Sequence, residues 1–146
     1  LSKAVVPQEN IDQQGEIMPK LLLVDDEALV RRSMQKTLLR KGFVVETASN
    51  CTEGLAEFEA AFKSNTPFDL ALLDLNMPNF EGIPVHAAGL DLLSKLIEID
   101  PDLTAIVLTA YDEVDTAKEA VQRGARSYFV KGREQGLVDL INEILV

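Results

Sequence analysis

The sequence predicts a doubly wound α/β fold, in which a parallel β-sheet lies between two layers of helices. Two observations predict it: short aliphatic runs recur along the chain, and each is followed by a segment with helical spacing of its apolar residues. Continuous aliphatic runs are typical of strands buried on both faces, and alternation with helices is typical of crossover units. A chain of 146 residues suffices for one such domain with a sizeable core.

Five strands and five helices are predicted in alternation. The predicted strands are the runs at 21–24, 44–48, 70–73, 105–109 and 128–130. The segments between and after them carry apolar stripes with spacings of three and four residues, as expected for helices with one buried face. The stripes are Val30, Met34 and Leu38; Leu55, Phe58 and Phe62; Leu92, Leu93, Leu96 and Ile97; Val114, Ala117 and Val121; and Leu137, Leu140, Ile141, Ile144 and Leu145. We interpret all five stripes as core packing, with Gly42, Pro101 and Gly124 marking three helix ends.

The first nineteen residues differ from the rest of the chain. They are polar, lack sustained periodicity and are interrupted by Pro7, Gly15 and Pro19. We therefore expect residues 1–19 to be a tail or linker and residues 20–146 to form the folded domain.

The composition argues against several classes of partner. Asp and Glu outnumber Lys and Arg by 24 to 14, for a formal net charge of -10, whereas a phosphate backbone requires clustered basic residues. No apolar run approaches the roughly 18 residues of a membrane span, and no signal peptide is evident. We expect a cytoplasmic protein with no direct nucleic acid contact and no membrane contact.

Polar side chains stand where the predicted strands end. Asp25 and Asp26 follow the first strand, Asp74 follows the third, Thr109 ends the fourth and Lys131 follows the fifth. Ligands of doubly wound sheets bind outside the carboxyl ends of the strands. Three carboxylates at that edge would raise one another's pKa unless a cation neutralised them, and Mg²⁺ is a hard cation that prefers carboxylate oxygens. The sequence therefore predicts a Mg²⁺ site formed by the three aspartates.

A metal site alone does not explain Thr109 and Lys131, whereas a phosphoryl group does. Its oxygens are stabilised by a metal ion, an ammonium group and hydrogen-bond donors such as a hydroxyl. A carboxylate can also accept a phosphoryl group and form an aspartyl phosphate. We therefore expect Asp74 to be the phosphoacceptor, with Lys131 and Thr109 as its catalytic partners.

Four segments together carry a family resemblance: LLLVDDE at 21–27, LALLDLNMP at 70–78, AIVLTAY at 105–111 and GARSYFVK at 124–131. They resemble the signature segments of the receiver domain of two-component response regulators, and the resemblance covers residues 20–146. It implies a flavodoxin-like fold with five helices and a five-stranded parallel sheet in the order 2-1-3-4-5. It also implies transfer of a phosphoryl group to Asp74 from the phosphohistidine of a sensor histidine kinase or a phosphotransfer protein.

The resemblance implies further roles for individual residues. The backbone carbonyl of Asn76 would join Asp25, Asp26 and Asp74 as a ligand of Mg²⁺, with Mn²⁺ as the alternative ion. Asn76 and Tyr111, two positions beyond Asp74 and Thr109, match the positions at which the family tunes the rate of dephosphorylation.

The resemblance also implies a switch. Thr109 would turn toward the phosphoryl group, and Tyr128 would then rotate inward. The surface of the fourth helix, fifth strand and fifth helix would change, and a downstream protein partner or a fused output domain would read it. Hydrolysis would reset the switch. We therefore expect a protein that catalyses only its own phosphorylation and dephosphorylation, and not an enzyme with independent turnover.

Two features depart from the family pattern. Gly132 follows Lys131 where the family has proline after a cis peptide bond; a cis bond before glycine would cost about 2.5–4 kcal/mol, so we expect a trans bond and a looser loop. The segment IPVHAAG at 83–89 is an insertion before the third helix, and we expect it to shape kinase docking or to cover the site. It contains His86, the single histidine, which we interpret as a surface residue because no second metal ligand stands beside it.

Three alternatives are weaker. A phosphatase of the haloacid dehalogenase type needs a second aspartate two positions after the nucleophile, where this chain has Asn76. A nucleotide-binding domain would need a G-x-G-x-x-G or Walker A segment, and the sequence contains neither. A degenerate receiver that serves only as an interaction module is supported by Gly132 alone.

Overall fold

The computed structural model describes residue 11 and residues 13–78, 80–82, 84–85, 88–110, 113–132 and 134–145. Strands and helices follow one another along the chain. They are β1 (Lys20–Val24), α1 (Ala28–Arg40), β2 (Val44–Ala48), α2 (Cys51–Lys63), β3 (Leu70–Asp74), β4 (Met77–Pro78), β5 (Pro84–Val85), α3 (Ala88–Ile99), β6 (Thr104–Thr109), α4 (Val114–Gln122), β7 (Ser127–Val130) and α5 (Glu134–Leu145). None of the described helices combines the length and the apolar character needed to cross a membrane.

Five of the strands form one parallel sheet in the order β2-β1-β3-β6-β7. When the short β4–β5 pair is set aside, this is the predicted order 2-1-3-4-5, and the predicted fold is confirmed. The order places β1 and β3 side by side at the centre, with Val24 opposite Leu73, and β6 on the other side of β3, with Leu108 opposite Asp74. The carboxyl ends of the strands therefore meet at one edge of the sheet.

The core divides into two layers because successive residues of a strand point to opposite faces of the sheet. One layer contains Leu22, Val24 and Leu73, which pack with buried residues of α2, α3 and α4. The other contains Leu21 and Leu23, which pack with buried residues of α1 and α5. Four of the five residues of β1 are completely buried, which explains why its sequence is an unbroken aliphatic run.

Two residues of the predicted apolar stripes lie outside the core, and for them the prediction was wrong. Phe62 is 42% exposed in the last turn of α2, where its ring stacks on Phe58 with 6.5 Å between centroids. Val121 is 39% exposed because the buried face of α4 runs through Ala117 and Ala120, which leaves Val121 on its flank.

The segment 83–89, predicted to be an insertion before the third helix, includes a short strand and the first two residues of that helix. Strands β4 and β5 form a two-stranded antiparallel ribbon, in which Met77 pairs with Val85. The last two residues of the predicted insertion, Ala88 and Gly89, already belong to α3, so the helix begins two residues earlier than expected. Strands of two residues that contain proline show no periodicity, so the ribbon could not be predicted from the pattern of residues. His86 lies outside the described residues.

Gly89 allows α3 to approach the functional end of β3. Its N–H donates to the carbonyl of Leu75 at 2.9 Å, and a Cβ at this position would lie 2.2 Å from the carbonyl oxygen of Asp74 and 2.8 Å from Cα of Leu75. Because both obstacles are backbone atoms, a side chain could be accommodated only by displacing α3 from β3.

We therefore expect Gly89→Ala to lower the free energy of unfolding by about 1–3 kcal/mol, measured by urea denaturation. Gly136→Ala in α5 is the matched control, because a Cβ there would meet the Phe129 ring at an ordinary 3.4 Å. The control should be neutral or stabilising by about 0.4–1 kcal/mol. Equal stability of Gly89→Ala and the wild type would contradict the close approach of α3 and β3.

Candidate functional site

The ends of four strands carry the buried polar side chains of the site. Asp25 directly follows β1, and its N–H donates to the carbonyl of Ala48 at 3.1 Å, which fixes its backbone beside the end of β2. Asp74 and Thr109 are the last residues of β3 and β6, and both are buried, as is Asp25. Lys131 follows β7, and its N–H donates to the carbonyl of Thr109 at 2.9 Å. The parallel sheet therefore brings the predicted residues to one edge.

The ammonium group of Lys131 joins the acidic side chains. Its Nζ lies 2.9 Å from Oδ2 of Asp25, 3.0 Å from Oδ2 of Asp74 and 3.5 Å from Oε1 of Glu27. Glu27 was not among the predicted site residues, although it directly follows the acidic pair in the sequence. That adjacency was the signal that could have identified it.

Negative charge exceeds positive charge in this cluster. The carboxylate groups of Asp25, Asp26, Glu27 and Asp74 have oxygens within 4.8 Å of one another. Lys131 forms ion pairs with three of them, all but Asp26. Burial raises the pKa of Asp74 to about 7; Lys131 opposes this rise and Asp25 adds to it. Burial tends to lower the pKa of Lys131, but the contacts with Asp74 and Asp25 outweigh it and the pKa is raised, so the ammonium stays charged.

The cluster fits a hard divalent cation. Oδ2 of Asp25 is completely buried, and its close contact among the described residues is the ion pair with the Lys131 ammonium at 2.9 Å. Oδ1 of the same side chain accepts from the N–H of Glu27 at 2.9 Å, which fixes the carboxylate. Closely spaced carboxylate oxygens of this kind, with Asp26 open to solvent, are the donors that Mg²⁺, Mn²⁺ and Ca²⁺ prefer. The acidic cluster could therefore hold a metal ion.

Asn76 lies next to Asp74 and reaches toward α4. Its N–H donates to Oδ1 of Asp74 at 3.3 Å, and its side-chain amide donates to Oε2 of Glu113. The role of its carbonyl as a metal ligand stays a prediction, and so does its influence on dephosphorylation. Tyr111, the other residue predicted to tune that rate, lies outside the described residues. The contact with Glu113 was not foreseen, because it depends on where α4 begins.

The hydroxyl of Thr109 is hydrogen-bonded to backbone carbonyls. Its single proton is shared between the carbonyl of Ala110 at 3.1 Å, directly after β6, and the carbonyl of Glu113 at 3.2 Å, directly before α4. Tyr128 lies on β7 opposite Val107 and packs, half-buried, against the core layer of α2, α3 and α4. For neither predicted switch residue does the described part of the structure give a hydrogen bond to the carboxylate of Asp74.

Gly132 has a backbone conformation that depends on glycine. The peptide bond that precedes it is trans, as expected, since no described peptide bond is cis. Its φ of +114° lies in a region that L side chains rarely adopt and that the ring of proline cannot adopt. The backbone after Lys131 therefore follows a path that proline at position 132 could not adopt.

Comparisons with known proteins agree with this geometry. Residues 21–142 match the family model described as the response regulator receiver domain. The chain is 33% identical over 113 residues to the C4-dicarboxylate transport transcriptional regulatory protein DctD of Rhizobium meliloti (strain 1021), which covers 77% of this chain and 22% of that protein. It spans 22% to 54% of the length of several curated relatives, DctD among them.

Solved structures give the same result. A response regulator receiver domain protein from Clostridium thermocellum matches with a TM-score of 0.75 and 31% identity, over 88% of this chain and 94% of that one. The response regulator protein TrrA from Thermotoga maritima, solved in complex with Mg(2+)-BeF, matches with a TM-score of 0.68 and 29% identity, over 88% of this chain and all of that one.

Proposed function

Because the chain belongs to the family of response regulator receiver domains, the signalling domains of two-component systems, we propose that Asp74 is its phosphoacceptor. The donor would be the phosphohistidine of a sensor histidine kinase or of a phosphotransfer protein. The observation that carries this proposal is the position of the Lys131 ammonium, within 3.0 Å of the carboxylates of both Asp25 and Asp74 at the edge of the sheet. We assign the receiver to residues 20–146 and a tail or linker to residues 1–19.

The acidic cluster supports a requirement for Mg²⁺, with Mn²⁺ as the alternative ion. Asp25, Asp26 and Asp74 would hold it with their carboxylates and Asn76 with its backbone carbonyl, while Glu27 adds negative charge. When bound, the ion neutralises the carboxylates and the oxygens of the incoming phosphoryl group. The related protein TrrA, crystallised with Mg(2+)-BeF, supports the choice of ion.

Besides the metal ion, the transfer uses two side chains at the edge of the sheet, those of Asp74 and Lys131. An oxygen of Asp74 attacks the phosphorus, the P–N bond of the phosphohistidine breaks, and the donor imidazole retains the electron pair and accepts a proton. Lys131 faces the phosphoryl oxygens and compensates part of their charge. Burial of Asp74, which is 4% exposed, limits the access of water to the new acyl phosphate.

The switch follows from the added charge, which is about -2 on the phosphoryl group. The hydroxyl of Thr109 would leave the carbonyls of Ala110 and Glu113 and donate to a phosphoryl oxygen. Tyr128 would turn into the space that Thr109 vacates, and the surface of α4, β7 and α5 would change. A downstream protein partner or a fused output domain would read this surface, without direct contact of this chain with nucleic acid or membrane. Hydrolysis, at a rate tuned by Asn76 and Tyr111, would reset it.

Acetyl phosphate tests the proposal without a kinase. Incubation with Mg²⁺ should add one phosphoryl group, measured by intact mass, and Mn²⁺ should substitute. An excess of EDTA should prevent the gain, because the carboxylates then repel the phosphoryl donor. Hydroxylamine should remove the group, as expected for an acyl phosphate and not for a phosphoserine. Beryllium fluoride is a tetrahedral mimic of the phosphoryl group. The proposal would be contradicted if the wild type, in the presence of Mg²⁺, neither gained the mass of a phosphoryl group nor bound beryllium fluoride.

A further inference from the structure

Glu113 contacts both the phosphoacceptor loop and the switch residue. It stands directly before α4, and its carboxylate accepts a hydrogen bond from the side-chain amide of Asn76. Its carbonyl accepts from the hydroxyl of Thr109 at 3.2 Å, and its N–H donates to the carbonyl of Ala110 at 3.1 Å. One residue therefore connects the loop after β3 with the end of β6.

These contacts complete a path from Asp74 to Thr109. Oδ1 of Asp74 accepts from the N–H of Asn76, Asn76 donates to the carboxylate of Glu113, and the carbonyl of Glu113 accepts from Thr109. The two ends of the path lie on neighbouring strands, β3 and β6. In this arrangement the side chain of Asn76 is bound to the residue before α4, and the hydroxyl of Thr109 is bound to backbone carbonyls.

The burial of Thr109 makes the position of its acceptor important. The residue is 1% exposed, so its hydroxyl cannot exchange a protein acceptor for water without cost. It keeps its present direction as long as the carbonyls of Ala110 and Glu113 stay in place. The amide of Asn76 fixes Glu113 through a hydrogen bond to a charged acceptor, which is stronger than a neutral one.

We propose that Glu113 is a positioning residue that stabilises the resting state of the switch. By binding Asn76, Glu113 keeps its own carbonyl beside Thr109 and opposes the turn of Thr109 toward a phosphoryl group on Asp74. This inference rests on the proposed function of Asp74 and adds to it a residue that sets how readily the switch responds.

Binding of beryllium fluoride at saturating Mg²⁺ tests the proposal. Glu113→Ala should tighten the apparent dissociation constant of beryllium fluoride about tenfold, which corresponds to about 1.4 kcal/mol, the size of one hydrogen bond to a charged group. Glu113→Gln, which retains a neutral acceptor, should show a smaller effect. The affinity for Mg²⁺ alone should not change, and a damaged fold would weaken both ligands instead.

Two comparisons separate the contact from the charge. Asp115→Ala removes an exposed carboxylate from the first turn of α4 and should leave beryllium fluoride binding unchanged. In the double variant with Asn76→Ala, replacing Glu113 should have no additional effect, because its partner is already absent. The proposal would be overturned if Glu113→Ala bound beryllium fluoride no more tightly than the wild type, or if Asp115→Ala tightened binding equally. It would also be overturned if the changes in affinity caused by Glu113→Ala and Asn76→Ala added up in the double variant.

A measurement without ligands keeps this test independent of the proposed function. Glu113→Ala should speed the hydrogen exchange of the amide at position 113, whose N–H donates to Ala110, and Asp115→Ala should not. If the wild type bound no beryllium fluoride, the proposed role of Asp74 as phosphoacceptor would be contradicted. The exchange rate of the amide at position 113 would still decide whether Glu113 fixes the start of α4. Equal exchange in both variants would refute the positioning role.

Discussion

Replacing Asp74 with asparagine should abolish phosphoryl uptake from acetyl phosphate and leave the fold intact. An amide has no carboxylate oxygen to attack phosphorus, and it also removes one of the proposed ligands of Mg²⁺. The fold should tolerate the change because asparagine has nearly the same shape, and Asp25 still pairs with Lys131 at 2.9 Å. Intact mass should show one added phosphoryl group in the wild type and none in the variant.

The stability of Asp74→Asn supplies a second measurement on the same protein. The pKa of Asp74 is raised to about 7 by its burial, so without metal the ionised carboxylate makes folding less favourable as the pH rises from about 4 to above 7. The variant should therefore be at least as stable as the wild type at pH 8 in EDTA. Asp102→Asn, at an exposed turn, is the control that should keep full uptake. A phosphoryl group still found on Asp74→Asn would assign the acceptor to another residue.

The sheet and the centre of the site were predictable because burial and topology fix both. The predicted runs at 21–24 and 70–73 match β1 and β3 to within one residue, since a strand that is covered on both faces is aliphatic along nearly its whole length. Asp25, Asp74 and Lys131 follow such runs, and parallel strands bring their carboxyl ends together whatever the loops do. Strand ends therefore identified Asp25 and Asp74, the two carboxylates nearest to the Lys131 ammonium, but not Glu27.

Contacts made by loops were not predictable in the same way. The bond between Asn76 and Glu113 joins two segments that are 37 positions apart, and its formation depends on the start of α4 and not on any periodic pattern. The ribbon of β4 and β5 and the early start of α3 depend likewise on a turn geometry that leaves no repeat in the sequence. Phe62 shows a further limit, since helical spacing identifies a face but not how far along the helix the sheet covers it.

Replacing Lys131 with methionine should destabilise the protein by about 3–5 kcal/mol in the absence of metal. Methionine keeps much of the length of the side chain but removes the ammonium, which leaves the completely buried Asp25 beside the nearly buried Asp74 without their cation. Urea denaturation at pH 8 in EDTA measures the loss. The loss should become smaller as the pH falls toward about 7, because Lys131 opposes the rise in the pKa of Asp74 and its removal lets Asp74 take up a proton at a higher pH in the variant than in the wild type.

Addition of Mg²⁺ separates this electrostatic cause from lost packing. If Asp25 and Asp74 hold a cation, saturating Mg²⁺ should raise the free energy of unfolding more in Lys131→Met than in the wild type, since the ion then supplies the missing positive charge. Phosphoryl uptake should stay slow, because the ion does not replace the ammonium that faces the phosphoryl oxygens. Lys118→Met, on the exposed side of α4, should change neither property. A loss that neither Mg²⁺ nor low pH reduces would assign Lys131 to packing and weaken the case for a shared cation at the edge of the sheet.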